Sequence, residues 1–346
     1  MYLDLPIVFA LLHRWPRYQR LATTGGLTVM CLALAVSSFS SKTTHLIVTQ
    51  GVIYAVGGSF AYSPCILFMD QWFVKKKGLA YGIMWAGTGL AGVILPLVMQ
   101  WLLQSYGFRT TLRAWAICLF VLTAPLLYFI KPRVPRTQTD QPRRLNFGFL
   151  GTSTFGILQA CNIIEALGFF LPSIYLPTYA RTLGASNSLS ALTVILFNVA
   201  SVIGCVLMGS IVDKWHVTTC IMISTIGSTI SIFTIWGFSK SLPPLYIFCL
   251  IYGLFAGSYT SAWPGIMRAV KSKKDSADPS MVFACLAAGR GIGNLASGPL
   301  SEALIRGLPW RGSAGFAYGS GYGTLIVFTG VTALLGGASF IGKRLL

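Results

Sequence analysis

The sequence predicts an all-α polytopic membrane protein whose helices fall into two bundles. Three observations predict it. The chain of 346 residues is 54% hydrophobic and 10% charged, with mean hydropathy +0.70, whereas a soluble domain carries about 25% charged residues. Its apolar residues lie in serial runs of about 20, the length that crosses roughly 30 Å of hydrocarbon as helix. Its basic residues alternate in density from one connection to the next.

The first apolar run, Met1 to His13, contains Asp4 and Pro6 and at 1.5 Å per residue covers only about 20 Å. It ends in a basic turn, Arg14, Arg17 and Arg20. Full-length runs follow at 21–40, 45–69, 78–103, 111–130, 149–177, 188–212, 218–238, 245–267, 281–305 and 314–341. This predicts ten whole crossings and about half of another. With Lys75 to Lys77 placed inside, the inner connections hold Arg14, Arg17, Arg20, those lysines, Lys131, Arg133, Arg136, Arg143, Arg144, Lys214, Arg268, Lys271, Lys273, Lys274, Lys343 and Arg344. The outer ones hold Lys42, Arg109, Arg113, Arg181, Lys240, Arg306 and Arg311, and Arg290 lies within a run. The inner excess supports both the orientation and the number of spans, because one missed helix would scramble it. It also puts the C-terminus on the cytoplasmic side.

The stretch 131–148, KPRVPRTQTDQPRRLNFG, is the longest polar segment and reads as a cytoplasmic linker. It divides an N-terminal bundle, 1–130, from a C-terminal bundle of six spans, 149–346. Two runs repeat a pattern across that division. Gly78 to Leu103 and Met281 to Ile305 each follow a basic loop, are ribbed with glycine, and carry a late proline, Pro96 and Pro299. Parallel halves of six spans describe one large transporter class. On that scheme the first half lacks its first helix and much of its second. Glycine at this density would cost about 1 kcal/mol each in a helix in water. In lipid, small residues let helix backbones approach closely, so Gly82, Gly87, Gly92 and Pro96, with Gly289 and Gly293, are the expected close-packing surfaces. Such a helix suits a moving part better than a passive anchor.

Other classes lack support. The net charge of +18 is spread in short clusters between apolar runs, which is a topology signal rather than a nucleic-acid stripe. The eight cysteines lie singly and the three histidines far apart, so neither metal nor disulfide framework is expected, and no cofactor. No cluster of His, Asp and Glu or Ser/His pair lies at one depth, which leaves an enzyme without support. Glu165 is the acid well inside a run and Arg290 the base. A charge at that depth must be neutralised, paired or facing water. Glu165 reads as a protonation site, a substrate contact or a neutral acid between helices. Arg290 could hold a substrate carboxylate through its fork of donors, pair Glu165, or snorkel inward. Asn162, Asn198, Tyr259 and Asn294 lie at mid-run, with Gln159 and Trp263. They line a cavity or form hydrogen bonds between helices, the second being commoner.

Four stretches resemble the major facilitator superfamily, and within it the fungal monocarboxylate-porter-like branch. They are FVKKKGLAYGIMWAGTGLAGVILP at 73–96, FFLPSIYLPTYA at 169–180, FNVASVIGCVLMGSIVDKW at 197–215 and GRGIGNLASGPLSEAL at 289–304. The resemblance spans essentially the whole chain, as helices two to twelve of the fold. Gly209, Asp213 and Lys214 resemble the superfamily's short cytoplasmic loop signature, which implies a gate latch between helix ends. Related sequences usually carry arginine where this one has Cys205, and animal relatives carry aspartate where it has Ser201. The resemblance implies a monomeric secondary transporter in the plasma membrane, working by alternating access. Its implied cargo is a monocarboxylate or secondary metabolite, carried with or without protons, and Cys205 in place of a charge favours a larger, less acidic metabolite. The alternative is a degenerate or receptor-like membrane protein that does not transport.

Overall fold

A computed structural model describes residues 1–133 and 146–340, and among them there is helix but no strand. The helices are α1 (Leu5–Arg14), α2 (Gln19–Ser37), α3 (Thr43–Trp72), α4 (Lys77–Leu127), α5 (Ser153–Phe169), α6 (Leu171–Thr182), α7 (Asn187–Val212), α8 (Val217–Trp236), α9 (Leu242–Ala256), α10 (Trp263–Lys273), α11 (Pro279–Ile305) and α12 (Gly323–Gly336). Eight helical stretches among the described residues are long and apolar enough to cross a membrane, so the protein is an integral, multi-pass membrane protein. Large apolar side chains such as Ile203, Leu207 and Leu295 stand exposed on these helices, as they should where lipid is the solvent.

Helix boundaries follow local chemistry. Thr152 and Ser186 cap α5 and α7, their hydroxyls accepting the N–H of Phe155 and Leu189. Pro243 sits in the first turn of α9, where its missing N–H costs nothing. Two expected boundaries shift. Runs 78–103 and 111–130 are two crossings in the sequence reading, yet they share one continuous helical stretch, α4, broken at Gly107 with φ +73°. Glycine reaches that conformation without a side-chain penalty, so no polar turn is needed. The last run was expected from 314, but its long helix starts at Gly323. The glycine-rich stretch before it forms a 3₁₀ turn, Phe316–Ser320, and a left-handed Gly321. The linker at 131–148 falls largely outside the described residues, as do Lys343 and Arg344 at the C-terminal end.

The chain divides into two compact units. The first comprises Met1–Val74, Leu95–Phe147 and Ala277–Ala288. Its tightest crossing joins α2 to α3: a Cβ on Gly26 would lie 2.5 Å from the Ala61 nitrogen, and one on Gly57 2.9 Å from the Gly26 carbonyl. Ser59 Oγ donates to Asp4 Oδ1 at 2.8 Å, and His13 Nε2 of α1 meets Asp278 Oδ2, just before α11, at 3.3 Å. Arg113 reaches Ser38 Oγ at 3.0 Å and lies over the Phe39 ring.

The second unit comprises Lys75–Ile94, Gly148–Ser276 and Gly289–Leu346. Its core is aromatic. Phe197, Tyr252, Phe248 and Trp236 form a run of stacked rings with neighbouring centroids 5.1 to 5.8 Å apart. Tyr179 closes one end of it, donating to the Ser239 carbonyl at 2.9 Å. Helices α7 and α9 pack through glycine, Gly204 against Leu254 and Gly253 against the Phe197 carbonyl.

Candidate functional site

The site grows from two charges that the second unit buries. Glu165 sits on α5, four residues before its end, and Arg290 on α11. Both are buried, at 6% and 2% exposure. Arg290 Nη1 donates to Glu165 Oε2 at 2.5 Å. The guanidinium also lies over the Phe169 ring at 4.4 Å and near the Tyr259 ring at 6.0 Å. Of the three readings open for Arg290, the geometry takes the pairing with Glu165. Charge, ring faces and dry surroundings reinforce one another here, because a bidentate-capable guanidinium gains from π-faces when desolvated. An isolated charge at this depth would cost several kcal/mol, and the pair removes most of that cost.

Some expected residues join this pair and others do not. Asn162, fully buried, lies one turn before Glu165 and reaches Gln159 Oε1 at 3.5 Å. Gln159 in turn fills the space that a Cβ on Gly289 would need. Tyr259 is buried beside the pair, and its hydroxyl has no hydrogen-bond partner. Trp263, one turn further on, meets Trp85 edge to face at 5.7 Å. Asn198 is elsewhere: it bonds the Val194 carbonyl of its own helix at 2.9 Å and the Gly92 carbonyl of α4 at 3.4 Å. Asn294 is half-buried, four residues after Arg290 on α11, and its Oδ1 is unpartnered. Cys205 and Ser201 serve the α7–α9 crossing, donating to the Gly257 and Gly253 carbonyls.

Two features escaped the sequence reading. One is Phe169, which spacing alone could have found, since it lies one turn after Glu165 on the same face. The other is a small cavity lined by Glu165, Phe169, Tyr252 and Tyr259 on one side and by Ser224, Ser228 and Thr332 on another. It has room for a water molecule and none for an organic substrate. Nothing in the sequence marks the hydroxyls of α8 and α12 as its walls.

The loop after α7 forms a second constellation. Asp213 accepts the Gly78 N–H at 2.7 Å through Oδ1 and the Leu79 N–H at 2.9 Å through Oδ2. A carboxylate thus satisfies two free donors of the first turn of α4 and sits at the positive end of its dipole. Arg268 of α10 lies 3.6 Å from the same carboxylate and also donates to the Val212 carbonyl. Gly209 makes the approach feasible: a Cβ there would lie 2.5 Å from the Gly78 carbonyl and 2.9 Å from Gly82 Cα. Lys214 is exposed and lies outside this network of bonds. Gly82 abuts the Cys205 carbonyl, Gly92 the Asn198 side chain, and Gly293 Ala166 and the Ile163 carbonyl. Gly87 corrects the expected pattern. It is exposed, with no atom within 4 Å of a Cβ built on it, because it lies off the face that α4 turns toward α7. Pro96 sits inside α4, in the part that belongs to the first unit.

Among the described residues no group of three His, Cys, Asp or Glu could hold a metal ion. Nothing in either constellation resembles a nucleophile–base pair.

The chain is similar to several proteins named as transporters. It is 27% identical over 334 residues to an MFS-type transporter of Gibberella moniliformis, covering 95% of this chain and 76% of that one. It is 26% identical over 329 residues to the agnestins efflux protein AgnL12 of Paecilomyces divaricatus, covering 94% and 71%. It is 28% identical over 257 residues to monocarboxylate transporter 10 of Danio rerio, covering 69% and 50%. Among solved structures, the E. coli fucose:proton symporter FucP superposes with a TM-score of 0.71 at 13% identity, covering 99% of this chain and 87% of that one; at that identity the likeness concerns the fold. The profile of the Major Facilitator Superfamily matches residues 5–159 and 158–341. With nearly its whole length matched, the chain belongs to the major facilitator superfamily.

Proposed function

We propose that this protein is a secondary active transporter that moves a small organic molecule, a monocarboxylate or a secondary metabolite, by alternating access. The observation that carries the reading is the buried Glu165–Arg290 pair between α5 and α11. A protein that only needed to be stable would gain as much from apolar residues in those places. A carrier gains from a carboxylate that can trade its partner or its charge during the cycle. Arg290 would hold the acidic group of the cargo, with Phe169, Tyr259 and Trp263 supplying ring surface, and Glu165 would take up a proton. Asn162 extends that polar patch along α5. Asn198 contributes to a helix contact rather than to the cargo.

The Asp213 cap is the latch in this reading. It holds the end of α7 against the start of α4 in one state of the cycle and releases it in the other. Gly209 and Gly82 form the surface on which that contact closes. The likeness to fungal efflux and monocarboxylate proteins supports export of a metabolite or movement of an acid. The working form is a monomer in the plasma membrane with its C-terminus in the cytoplasm, and it needs no cofactor.

The test is flux in proteoliposomes across external pH, with labelled lactate, benzoate and a larger aromatic acid as probes. Wild-type protein moves at least one of them. Arg290→Gln removes acid transport, and Glu165→Gln flattens its pH dependence. Full pH-dependent transport by both variants would rule the reading out.

A further inference from the structure

Within the first unit, His13 meets an acceptor at each of its ring nitrogens. Nδ1 lies 2.8 Å from the Phe9 carbonyl, one turn back on α1. Nε2 lies 3.3 Å from Asp278 Oδ2, immediately before α11. A carbonyl oxygen and an ionised carboxylate can only accept hydrogen bonds. Each contact is therefore a bond only when its own nitrogen carries a proton, and a ring protonated at both is an imidazolium. The neutral ring has a single N–H and must give up one of the two. Its bare nitrogen then faces oxygen lone pairs. Both side chains are largely covered, at 11% and 12% exposure, so the lost bond is poorly replaced by water.

The two partners are anchored unequally. Asp278 is fixed by its place at the head of α11. Its Oδ1 accepts the Ser280 N–H at 2.9 Å and its carbonyl accepts the Val282 N–H at 3.0 Å. Ser280, Met281 and Val282 after it are buried. These bonds do not depend on the charge of the imidazole. Helix α1 has ten residues, too few to be stable through its own backbone bonds. It relies on its apolar face, Leu5, Val8, Phe9 and Leu12, and on Gln19 Nε2, which donates to the Leu12 carbonyl at 3.1 Å. His13 stands in its last turn, so a change of ring charge acts there.

The ring faces Asp278 from the head of α11 and the Phe9 carbonyl from its own helix. The other charged groups on the elements around it are few. Arg14 is exposed over the Trp15 ring, and Arg17 and Arg20 are exposed in the turn that follows. Asp4 lies at the far end of α1 on Ser59 of α3, and α3 carries Asp70 near its own end. Lysine or arginine would tie Asp278 at every physiological pH, whereas histidine is the side chain that changes charge between about pH 5 and 8.

We propose that His13 and Asp278 form a pH-sensitive clasp between the last turn of α1 and the head of α11, closed while the imidazole is protonated and released when it is neutral. On closing, a hydronium gives its proton to the bare ring nitrogen, leaving water and an imidazolium opposite the carboxylate. Release returns that proton to water. The tie therefore stabilises α1 on the acid side and is lost as pH rises. It needs nothing from Glu165 or Arg290 and stands whether or not the transport reading does.

The experiment is hydrogen exchange by mass spectrometry on the full chain in lipid nanodiscs, at about pH 5.5 and about pH 8.5, with rates corrected for intrinsic exchange. In the wild type, protection of the α1 amides falls on the order of tenfold from the lower pH to the higher. His13→Phe keeps the bulk and shows the low protection at both. Asp278→Asn removes the step as well, while the first turn of α11 stays protected, because asparagine caps a helix as aspartate does. A purely structural contact would give equal protection at the two pH values. Equal corrected protection of α1 in the wild type would overturn the clasp, and so would a full pH step surviving in either variant. Should His13→Phe fail to fold, the wild type and Asp278→Asn still decide between these outcomes.

Discussion

At the scale of single residues, Glu165 and Arg290 decide most. Each alone would be an uncompensated charge in an apolar interior, and together they form one buried pair at 2.5 Å. Arg290→Gln or Glu165→Gln alone should therefore destabilise the protein by about 3–5 kcal/mol, while the double variant should recover most of the loss. A thermal-melt double-mutant cycle in detergent checks this, and additive losses would mean that the two charges do not depend on each other. Gly87 supplies the opposite case. It meets nothing within 4 Å, so Gly87→Ala should stabilise its helix by roughly 0.5–1 kcal/mol. That pair of charges was legible in the sequence, since Glu165 is the acid and Arg290 the base that lie well inside apolar runs. Their pairing was one of three readings and the sequence could not choose it, because 125 positions separate them and no periodicity spans such a gap.

At the scale of elements, the decisive contacts lie where glycine lets one helix meet another. Gly209, Gly78 and Gly82 bring α7 within backbone contact of the start of α4. Gly209→Ala forces a methyl into that contact and should cost about 1–3 kcal/mol, as overpacking does. A melting temperature equal to wild type would place the crossing elsewhere. Asp213→Ala should lose about 1 kcal/mol of capping. It should also raise cysteine labelling at the start of α4 in proteoliposomes, and unchanged labelling would deny Asp213 a latching role. Within the first unit His13 holds Asp278 at 3.3 Å with both side chains mostly covered. His13→Phe keeps the bulk and removes that contact, so a lower melting temperature is expected. Glycine ribbing announced close packing but not which glycines carry it. Gly82 and Gly92 face α7 and Gly87 does not, a difference set by rotation about the helix axis and by the partner's position.

At the scale of the whole molecule, the solvent is the deciding fact. Large apolar side chains stand outward on long helices as well as filling the core, the arrangement lipid permits when backbone groups are satisfied within each helix. The alternating basic loops predict sidedness. Single cysteines at Lys42 and Lys240 should label from outside intact cells, and those at Lys76 and Lys271 only after permeabilisation. Labelling of all four from one side would refute the serial crossing.

Composition and run length, acting locally, determined that this chain is helical, membrane-embedded and serially spanning, because hydrocarbon thickness sets helix length directly. Thr152, Ser186 and Pro243 mark the starts of three helices. Tertiary structure alone decided that Arg290 pairs with Glu165, that Asp213 caps α4, and that hydroxyls from α8 and α12 enclose a cavity beside the pair. Each of those depends on which faces of distant helices meet, and that is a property of packing in three dimensions rather than of any window along the chain.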